Sequence, residues 1–513
     1  MLVKTFGSSL YGVRAITITI ETSVDLGVNF MLVGLPDNAV KESQQRIESA
    51  LSQNGYRLPG KKIIINMAPA NLRKEGSAYD LPLAISILAA SEQIKHTGIE
   101  RYMMMGELSL DGSLRPIKGA LPMALEALEK GFDGLILPKA NADEAAIVMD
   151  LNVYGVDHIL EVIRFFDKDV PIERVKVNVN EAFEHSVNHY PFDFSEVKGQ
   201  HNIKRALEIT AAGGHNVILI GPPGSGKTML AQRMPSILPP MTLSEALETT
   251  KIHSVAGKLA LHQGLITMRP FRSPHHTISD VALVGGGSSP QPGEISLAHN
   301  GVLFLDEMPE FKRPVLEVLR QPMEEHKVTI SRSKMSIDYP TNFMLVAAMN
   351  PCPCGNYNHP SKECICAPGV VNKYLSKISG PLMDRIDLHV EVSPVAYQAL
   401  HDTTSEESSA AIRNRVIAAR NIQKERFINA SDIHCNAQMT SHFINLHCQL
   451  DNACGELLKG AMEKLQLTAR AYSRILKVAR TIADLDGSDS ILSVHIAEAI
   501  HFRSLDRETW GTH

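Results

Sequence analysis

The sequence has 513 residues, of which 44% are hydrophobic and 21% are charged. At about 150 residues per domain, this length indicates roughly three domains, and the composition excludes a largely disordered chain. The formal net charge of −5 excludes a protein that binds nucleic acid by bulk positive charge, although a local basic surface is compatible with it.

The sequence carries no recognisable signal for a membrane or for secretion. Its longest apolar run, Leu81 to Ser91, is shorter than the ~18 residues that cross a bilayer. Residues 1–21 alternate apolar and polar side chains and lack a signal-peptide cleavage site. All seven cysteines lie at or after Cys352, which is not the pattern of a secreted disulfide framework. We therefore expect a cytoplasmic protein without a membrane partner.

Residues 1–179 alternate short strand patterns with amphipathic helix patterns, which predicts an α+β domain. Within it, Glu107–Leu114 carries the dipeptide Asp111-Gly112, which is typical of a type I′ hairpin turn. Pro122–Lys130 has helical periodicity and is predicted to form a helix.

The polar residues 180–193 are expected to form a linker, after which the pattern changes. Residues 194–394 contain continuous apolar runs: Val217–Ile220, Val302–Leu305 and Phe343–Ala348. Strands that are apolar on both faces are typical of a parallel sheet covered by helices. Residues 395–513 are predicted to be helical. The sequence therefore predicts an α+β domain, an α/β core and a helical C-terminal domain.

A phosphate-binding loop is predicted after the first apolar run. The pattern G-x-x-x-x-G-K-[ST] is matched by Gly221, Pro222, Pro223, Gly224, Ser225, Gly226, Lys227 and Thr228. In such a loop backbone N–H groups surround the phosphates, and the following helix adds partial positive charge. Lys227 is expected to hold the β- and γ-phosphates of a nucleotide, and Thr228 to bind Mg²⁺. A chance glycine-rich turn is the alternative, but the flanking strand and helix argue against it.

The other two apolar runs also end in polar residues. We assign Asp306 to Mg²⁺ binding and Glu307 to activation of the attacking water. The amide of Asn350 could orient this water or contact the γ-phosphate. A solvated acidic pair, and an asparagine that merely starts a turn before Pro351, are the alternatives.

Two arginines could complete a nucleotide site. Arg385 precedes a predicted strand, and from a neighbouring subunit it would stabilise charge on the transferring phosphoryl group. Arg470 opens a predicted helix and could reach the nucleotide from the helical region. A surface salt bridge is the alternative for each arginine.

A β-hairpin is predicted over Lys327–Asp338, because apolar and polar residues alternate on both sides of a short polar tip. Arg332 and Lys334 lie at this tip. There they could follow the phosphate backbone of DNA without reading its sequence. An ordinary hairpin with a solvated tip is the alternative.

Two clusters contain residue types that bind metals. Two C-x-C pairs, separated by nine residues, could supply four thiolates to a structural Zn²⁺: Cys352, Cys354, Cys364 and Cys366. His359 is a substitute ligand. Because C-x₂-C is the usual spacing, reduced thiols and a redox role are the alternatives. The adjacent His275 and His276 are assigned no chemical role, since neighbouring side chains point in different directions on most backbones.

Over essentially its whole length the chain resembles the ComM/YifB-type magnesium-chelatase-like AAA+ ATPases. Besides the phosphate loop, six stretches carry the resemblance: Phe194–Gln200, Arg269–His276, Gly293–His299, Phe304–Met308, Asn350–Gly355 and Thr468–Ile475. In this family Asp306 and Glu307 correspond to the Walker B pair and Asn350 to sensor 1. Arg385 corresponds to the finger that acts in trans, and Arg470 to sensor 2.

The resemblance implies an α/β multidomain fold. Residues 1–179 would form a Lon-protease-domain-like domain of the ribosomal S5 domain 2-like and ChlI type. Residues 194–394 would form an AAA+ core of the helix-2-insert type, and residues 395–513 a helical lid. The resemblance also implies ATP and Mg²⁺ as cofactors, and a homohexameric ring with ATP between subunits.

The function that the resemblance implies is that of a DNA motor, a branch-migration helicase in homologous recombination and natural transformation. Its partner would be single-stranded or branched DNA. A magnesium-chelatase-type ATPase subunit and a protein-remodelling or protease-like ATPase are the alternatives. Ser77 falls at the Lon nucleophile position, but the lysine position of a Ser–Lys protease is occupied by Leu121, and Lys118 is out of register.

Overall fold

A computed structural model of the chain describes residues 1–179, 181, 183, 190–260, 263–287, 290–332, 335–357, 362–394, 406–430 and 433–503. Within these residues, most of the buried apolar side chains belong to one of two regions. One core lies almost wholly within residues 3–179. The other packs on both faces of a second sheet, within residues 194–502. This division agrees with a mixed α/β protein of more than one domain.

Seven strands of the described N-terminal residues form a mixed sheet in the order β3-β4-β2-β1-β5-β8-β9. Their bounds are β1 Leu2–Tyr11, β2 Arg14–Asp25, β3 Asn29–Val33, β4 Lys62–Ala68, β5 Tyr102–Met104, β8 Gly134–Pro138 and β9 Asn152–Val156. Alternate residues of β2 are buried, from Ile18 and Ile20 to Val24, as expected of a strand with one face on the core. The antiparallel register of β1 and β2 runs from Leu2 opposite Ser23 to Tyr11 opposite Arg14.

Helices cover this sheet at Asn38–Lys41, Ser43–Gln53, Asp80–Ala90, Ala120–Glu129, Lys139–Ala145 and Ile159–Lys168, with a 3₁₀ turn at Ile99–Arg101. Every residue of Asp80–Ala90 is buried, because this largely apolar helix packs against β1 and β2. The predicted helix at Pro122–Lys130 is confirmed, although it begins at Ala120.

The predicted hairpin is confirmed as β6 (Glu107–Leu108) paired with β7 (Leu114–Arg115), but its turn type was wrong. Of the dipeptide, only Gly112 has a positive φ, at 94°. The Asp111 carboxylate accepts hydrogen bonds from the backbone N–H and hydroxyl of Ser113, at 2.9 and 2.7 Å. This side-chain bonding closes a longer loop than the two-residue turn that was predicted.

In the central region, five described strands form a parallel sheet in the order β11-β14-β17-β10-β18. Their bounds are β10 Val217–Ile220, β11 Phe271–Arg272, β14 Val302–Leu305, β17 Met344–Met349 and β18 Leu388–Glu391. Every residue of β10, β14 and β17 is buried, as predicted for strands covered on both faces. Their carboxyl ends therefore meet at one edge of the sheet.

Around this sheet lie short helices and two small ribbons. The ribbons are β12 Gly285–Gly286 with β13 Gln291–Pro292, and β15 Lys327–Arg332 with β16 Met335–Pro340. The helices are His201–Gly213, Lys227–Ile237, Leu243–Ala256, Asp280–Val284, Glu294–Leu297, Arg313–Glu317, Pro322–Glu325, Pro368–Leu375 and Gly380–Met383, with 3₁₀ turns at Phe194–Glu196 and Met308–Glu310.

The described C-terminal residues are helical, as predicted. Their helices are Ser409–Arg426, Ser441–His447, Asn452–Leu465, Ala469–Leu485 and Ser493–His501, with a 3₁₀ turn at Asn436–Gln438. The predicted apolar face of Ala469–Leu485 is confirmed, since Ala471, Ile475 and Ala479 are buried. This helix packs against His201–Gly213 of the central region. Among the described residues, no helix has the length and apolar character needed to span a membrane.

Hydrogen bonds between described residues join the N-terminal and central regions at two of the places where these regions meet. The backbone N–H of Gly119 donates to the carbonyl of Ser254 over 3.2 Å, and the Ser254 hydroxyl donates to the buried carboxylate of Glu144. At the other place the Tyr11 hydroxyl donates to the carbonyl of Ser336 on β16, over 3.2 Å. The second contact links the ribbon β15–β16 of the central region to the tip of the β1–β2 pair.

Candidate functional site

The phosphate loop, residues 221–226, connects β10 to the helix Lys227–Ile237. Gly224 and Gly226 have φ values of 77° and 87°, a left-handed backbone that favours glycine. A Cβ atom at Gly221 would lie 2.2 Å from the carbonyl oxygen of Val392, so this glycine allows the close approach of two backbones. The sequence therefore folds locally into the curved loop that the motif predicts.

Lys227 is buried, with 8% of its surface exposed, and it points back into the loop. Its Nζ donates to the carbonyl oxygens of Gly221 and Pro222, at 2.8 and 2.9 Å, and to Oδ1 of Asn350, at 3.2 Å. Burial lowers the pKa of the lysine, and the nearby Asp306 carboxylate opposes this shift. The cation thus lies where loop backbone and sheet edge meet, within reach of an anionic group in the loop.

Thr228 and Asp306 supply oxygen ligands beside the lysine. The threonine hydroxyl donates to Oδ2 of Asp306 over 2.6 Å, and the Oδ1 atom accepts the backbone N–H of Glu307, at 2.9 Å. Hydroxyl and carboxylate oxygens are the ligands that Mg²⁺ prefers. The pair therefore fits a magnesium ion next to the loop.

Glu307 has a positive φ of 49°, which turns the chain sharply after β14. Its side chain is 57% exposed, and its Oε2 atom lies 3.6 Å from Nδ1 of His276. The sequence analysis assigned the histidine pair no chemical role, and the structure places His276 next to Glu307. The rings of His275 and His276 also lie together, 4.1 Å between centroids, in a turn where the Ile278 N–H donates to the His275 carbonyl over 2.9 Å.

Gln200 is a second residue that the sequence argument missed. It has a φ of 56° at the start of the helix His201–Gly213, and its Nε2 donates to the carbonyl of Ser225 over 2.9 Å. The Oε1 atom of Gln200 and the hydroxyl of Ser225 are buried without a hydrogen-bond partner among the described residues. Such orphaned polar atoms fit a polar ligand in the loop. The sequence did offer one signal for Gln200: it ends Phe194–Gln200, a stretch that carries the family resemblance.

The two predicted arginines lie outside this cluster in the chain itself. Arg385 is 9% exposed, and its guanidinium pairs with the Glu324 carboxylate at 2.6 Å and donates to the carbonyl of Pro381 at 2.6 Å. The side chain of Arg470 is 68% exposed, and its nearest carboxylate is that of Asp384, at 3.6 Å. These contacts do not bring either arginine to the phosphate loop of the same chain.

The predicted hairpin over Lys327–Asp338 is confirmed as β15 and β16. Lys334 and the side chain of Arg332 lie outside the described part of the structure. Three buried apolar side chains of the hairpin, Ile330, Ile337 and Tyr339, pack with Tyr11. The hairpin therefore contacts the N-terminal region in the half nearer its tip, where Ser336 accepts the Tyr11 hydroxyl.

The four predicted thiols converge. Sγ atoms of Cys352 and Cys354 are 3.3 Å apart, and each is 3.6 Å from Sγ of Cys364. With Cys366 included, all four sulfur atoms lie within 4.8 Å of one another. His359 lies outside the described residues. Four sulfur atoms so arranged can bind one metal ion.

The residues at the Lon-like position are engaged elsewhere. The Ser77 hydroxyl donates to the Glu107 carboxylate, and Lys74 Nζ donates to the carbonyl of Pro69. Lys118 lies next to Gly257 of the central region, and Leu121 is buried in the N-terminal core. These contacts do not assemble a Ser–Lys pair from the named residues.

Three family profiles match the chain. They are "Subunit ChlI of Mg-chelatase" over residues 20–141, "Magnesium chelatase, subunit ChlI" over residues 193–400, and "Magnesium chelatase, subunit ChlI C-terminal" over residues 406–503. The central profile spans the phosphate loop and the strand ends that surround it.

The chain is similar to bacterial proteins over nearly its whole length. It is 45% identical over 500 residues to YifB of Escherichia coli K12, covering 97% of this chain and 96% of the relative. It is 44% identical over 499 residues to the competence protein ComM of Haemophilus influenzae, with the same coverage. The magnesium-chelatase 38 kDa subunit of Cereibacter sphaeroides is 24% identical over 254 residues, covering 45% of this chain and 72% of the relative. The chain therefore belongs to the ComM/YifB-type, magnesium-chelatase-like family of AAA+ ATPases.

Proposed function

We propose that the chain is a ring-forming cytoplasmic ATPase motor that drives branch migration of DNA. Its substrate would be single-stranded or branched DNA in homologous recombination, including recombination of DNA taken up in transformation. The ATPase activity is inferred from one observation: four side chains lie together at one edge of the sheet, those of Lys227, Thr228, Asp306 and Asn350. The competence protein ComM, at 44% identity, supports the DNA part.

The residues fit ATP and Mg²⁺ in defined roles. Lys227 and the loop N–H groups would hold the phosphates, while Thr228 and Asp306 would hold Mg²⁺, which neutralises phosphate charge. The exposed carboxylate of Glu307 would accept a proton from the attacking water. Asn350 would orient that water, since its amide already faces Lys227.

A ring explains why the arginines lie away from the loop of their own chain. We propose that Arg385 acts on the ATP of a neighbouring subunit in a homohexamer and that Arg470 acts as sensor 2. Arg385 would then leave Glu324 when the subunits meet, because one guanidinium cannot satisfy both anions. We further propose a Lon-like N-terminal domain (residues 1–179), a helix-2-insert AAA+ core (194–394) and a helical lid (395–513).

The hairpin β15–β16 is the proposed contact with DNA. Arg332 and Lys334 at its tip would bind backbone phosphates, which are the same in every sequence. The two strands of the hairpin would transmit movement of the core to this tip. Proteolysis is disfavoured, because Ser77 bonds to Glu107 rather than to a lysine from its expected partner segment.

The test measures ATP turnover by the purified full-length chain with each candidate substrate added in turn. These are single-stranded DNA, forked DNA, unfolded protein, and porphyrin with Mg²⁺. Stimulation by DNA, followed by ATP-dependent movement of a labelled branch, supports the proposal. The Glu307→Gln protein serves as the control that binds but does not hydrolyse ATP. Stimulation by protein alone would support remodelling, and stimulation by porphyrin alone would support a chelatase subunit; either result would overturn the proposal.

A further inference from the structure

Four cysteine thiols lie beside the phosphate loop in an arrangement that the proposed hydrolysis does not use. The sulfur separations of 3.3, 3.6 and 3.6 Å among Cys352, Cys354 and Cys364 are far longer than a disulfide bond of about 2.05 Å. They are close to the edge of about 3.8 Å that a tetrahedron of sulfurs has around zinc at ~2.3 Å. The described cluster therefore has the dimensions of a metal–thiolate site.

We propose that Cys352, Cys354, Cys364 and Cys366 bind one structural Zn²⁺, and that this zinc site supports the phosphate loop. The donor set is four sulfurs, which selects a soft tetrahedral ion rather than Mg²⁺. All four ligands come from the chain itself, so the coordination shell is closed and the ion has no open position for catalysis. The role is therefore structural.

The local backbone is built for this role. Cys352 is completely buried, and its carbonyl accepts the N–H of Gly355 over 3.0 Å, which folds the first pair into a tight turn. Gly355 has a φ of 78°, so the turn requires a residue that tolerates a left-handed backbone. The second pair lies just before the helix Pro368–Leu375. The ion would thus tie the end of β17 to this helix.

The turn also touches the phosphate loop directly. A Cβ atom at Gly355 would lie 2.4 Å from Cδ of Pro223 and 3.1 Å from its Cγ, so the glycine packs against the loop proline. Asn350, two residues before Cys352, accepts a hydrogen bond from Lys227. The turn therefore contacts the loop and begins two residues after Asn350, which accepts a hydrogen bond from the loop lysine. The supporting role rests on the proposed ATPase site, whereas the zinc site does not depend on it.

The first test is the metal content of the full-length protein, purified without added metal or chelator. We expect about one zinc per chain by elemental analysis. We also expect this zinc to be released when a mercurial reagent titrates the thiols, as read by a metal-sensitive dye. Iron instead of zinc, no bound metal, or disulfides within the cluster by mass spectrometry would each overturn the zinc site.

Variants then assign the ligands. Cys364→Ser and Cys366→Ser should each reduce bound zinc by about tenfold or more, since a hydroxyl is a poor replacement for a thiolate. Cys454→Ser is the matched control, because the Cys454 sulfur lies outside the cluster, 3.6 Å from the Ser493 hydroxyl. We expect it to retain the wild-type zinc content. Equal zinc in all three variants would refute the assignment.

The supporting role needs a variant that keeps every thiol. Gly355→Ala should retain the four cysteines, but its added methyl group would clash with Pro223 and displace the phosphate loop. We therefore expect ATP turnover to fall by about 10²-fold while zinc still binds. Gly369→Ala is the control, since no atom lies within 4 Å of its added Cβ. Normal turnover by Gly355→Ala would overturn the support of the loop and leave the zinc site standing. If wild-type protein binds zinc but hydrolyses no ATP, the proposed function fails and the metal site does not.

Discussion

The hydroxyl of Thr228 donates to the carboxylate of Asp306 over 2.6 Å, although 78 residues separate them in the chain. Thr228 lies in the first turn of the helix after β10, and Asp306 follows the end of β14. Parallel pairing of both strands with β17 brings these ends to one edge. The pair is therefore a direct product of the sheet order, and it presents two oxygen ligands.

Replacing Thr228 by valine keeps the branched shape and removes the hydroxyl. We expect the Mg²⁺ concentration for half-maximal ATP turnover to rise by about 10- to 100-fold, because valine lacks the hydroxyl that would bind the ion. Steady-state turnover over a magnesium titration measures this change. Thr228→Ser should recover most of the wild-type magnesium dependence. An unchanged dependence in the valine variant would remove Thr228 from the metal site.

Glu307→Gln should lower kcat by about 10²–10⁴-fold, since an amide cannot accept the proton of the attacking water. The affinity for ATP should change little, because the side chain is 57% exposed and bonds no loop atom in the structure. Single-turnover hydrolysis and fluorescent-nucleotide titration separate these two quantities. Comparable hydrolysis by the variant and the wild type would exclude Glu307 as the base.

Substitution of His276 tests whether ATP hydrolysis depends on the position of the Glu307 carboxylate. Its Nδ1 atom is 3.6 Å from Oε2 of Glu307, so His276→Asn should lower kcat by less than about tenfold and leave ATP affinity unchanged. His275→Asn is the control, because the His275 Nδ1 atom contacts the Thr277 hydroxyl instead, at 2.9 Å. Equal effects of the two substitutions would argue against a specific role for His276.

Sequence alone predicted the parts of the site that depend on local pattern. The phosphate loop, the acidic pair after β14 and Asn350 after β17 were identified because each ends a continuous apolar run. Their meeting follows from parallel strands. The sequence argument could not place Gln200 against Ser225, or His276 against Glu307, because these contacts depend on how distant segments pack.

The turn between β6 and β7 shows the same limit at short range. Asp111-Gly112 correctly indicated a hairpin, but the Asp111 carboxylate bonds to Ser113 and stabilises a longer loop. Side-chain bonding of this kind competes with the backbone preference of the dipeptide. The salt-bridge partner of Arg385 could likewise not be predicted from sequence patterns, since Glu324 lies on a separate short helix.

If Arg385 acts across subunits, two inactive variants should rescue each other. Arg385→Ala alone should lower turnover by about 10³-fold or more, and Lys227→Ala should abolish ATP binding in its own subunit. Mixed rings would contain some interfaces with an intact loop on one side and an intact arginine on the other. Turnover by mixtures at several ratios should therefore exceed that of either variant. Mixtures no more active than the variants alone would contradict an interfacial site.

Substitutions at the tip of the hairpin should weaken DNA binding and leave ATP hydrolysis without DNA unchanged. Arg332→Ala combined with Lys334→Ala should weaken DNA binding and reduce the slope of log affinity against log salt by about one unit per lost phosphate contact. Lys327→Ala is the control at the hairpin base, where the Lys327 ammonium pairs with Asp338 at 3.7 Å. An unchanged salt slope in the double variant would place the DNA contact elsewhere.

The last prediction concerns the buried carboxylate of Asp387, which joins the end of the central region to the C-terminal helices. Its Oδ1 atom accepts from Arg474 at 2.8 Å, and its Oδ2 atom lies 3.4 Å from His215 and accepts the N–H of Asn216 at 2.9 Å. Burial alone would raise the pKa of Asp387, but Arg474, His215 and the Asn216 N–H outweigh it and hold the pKa well below its ordinary value. The ionised carboxylate is thus stabilised by folding.

A carboxyl whose pKa is lowered on folding contributes stability above its unfolded value of about 3.9, and this contribution is lost as the pH falls below it. Arg474→Met should remove the main partner and leave a buried charge, at a cost of about 3–5 kcal/mol near pH 7. The cost should shrink as the pH approaches ~4, because the variant can then protonate Asp387. Urea unfolding at both pH values measures the difference. Arg470→Met, at an exposed position, should stay within about 0.5 kcal/mol of wild type, and a pH-independent loss in Arg474→Met would exclude the charge as its cause.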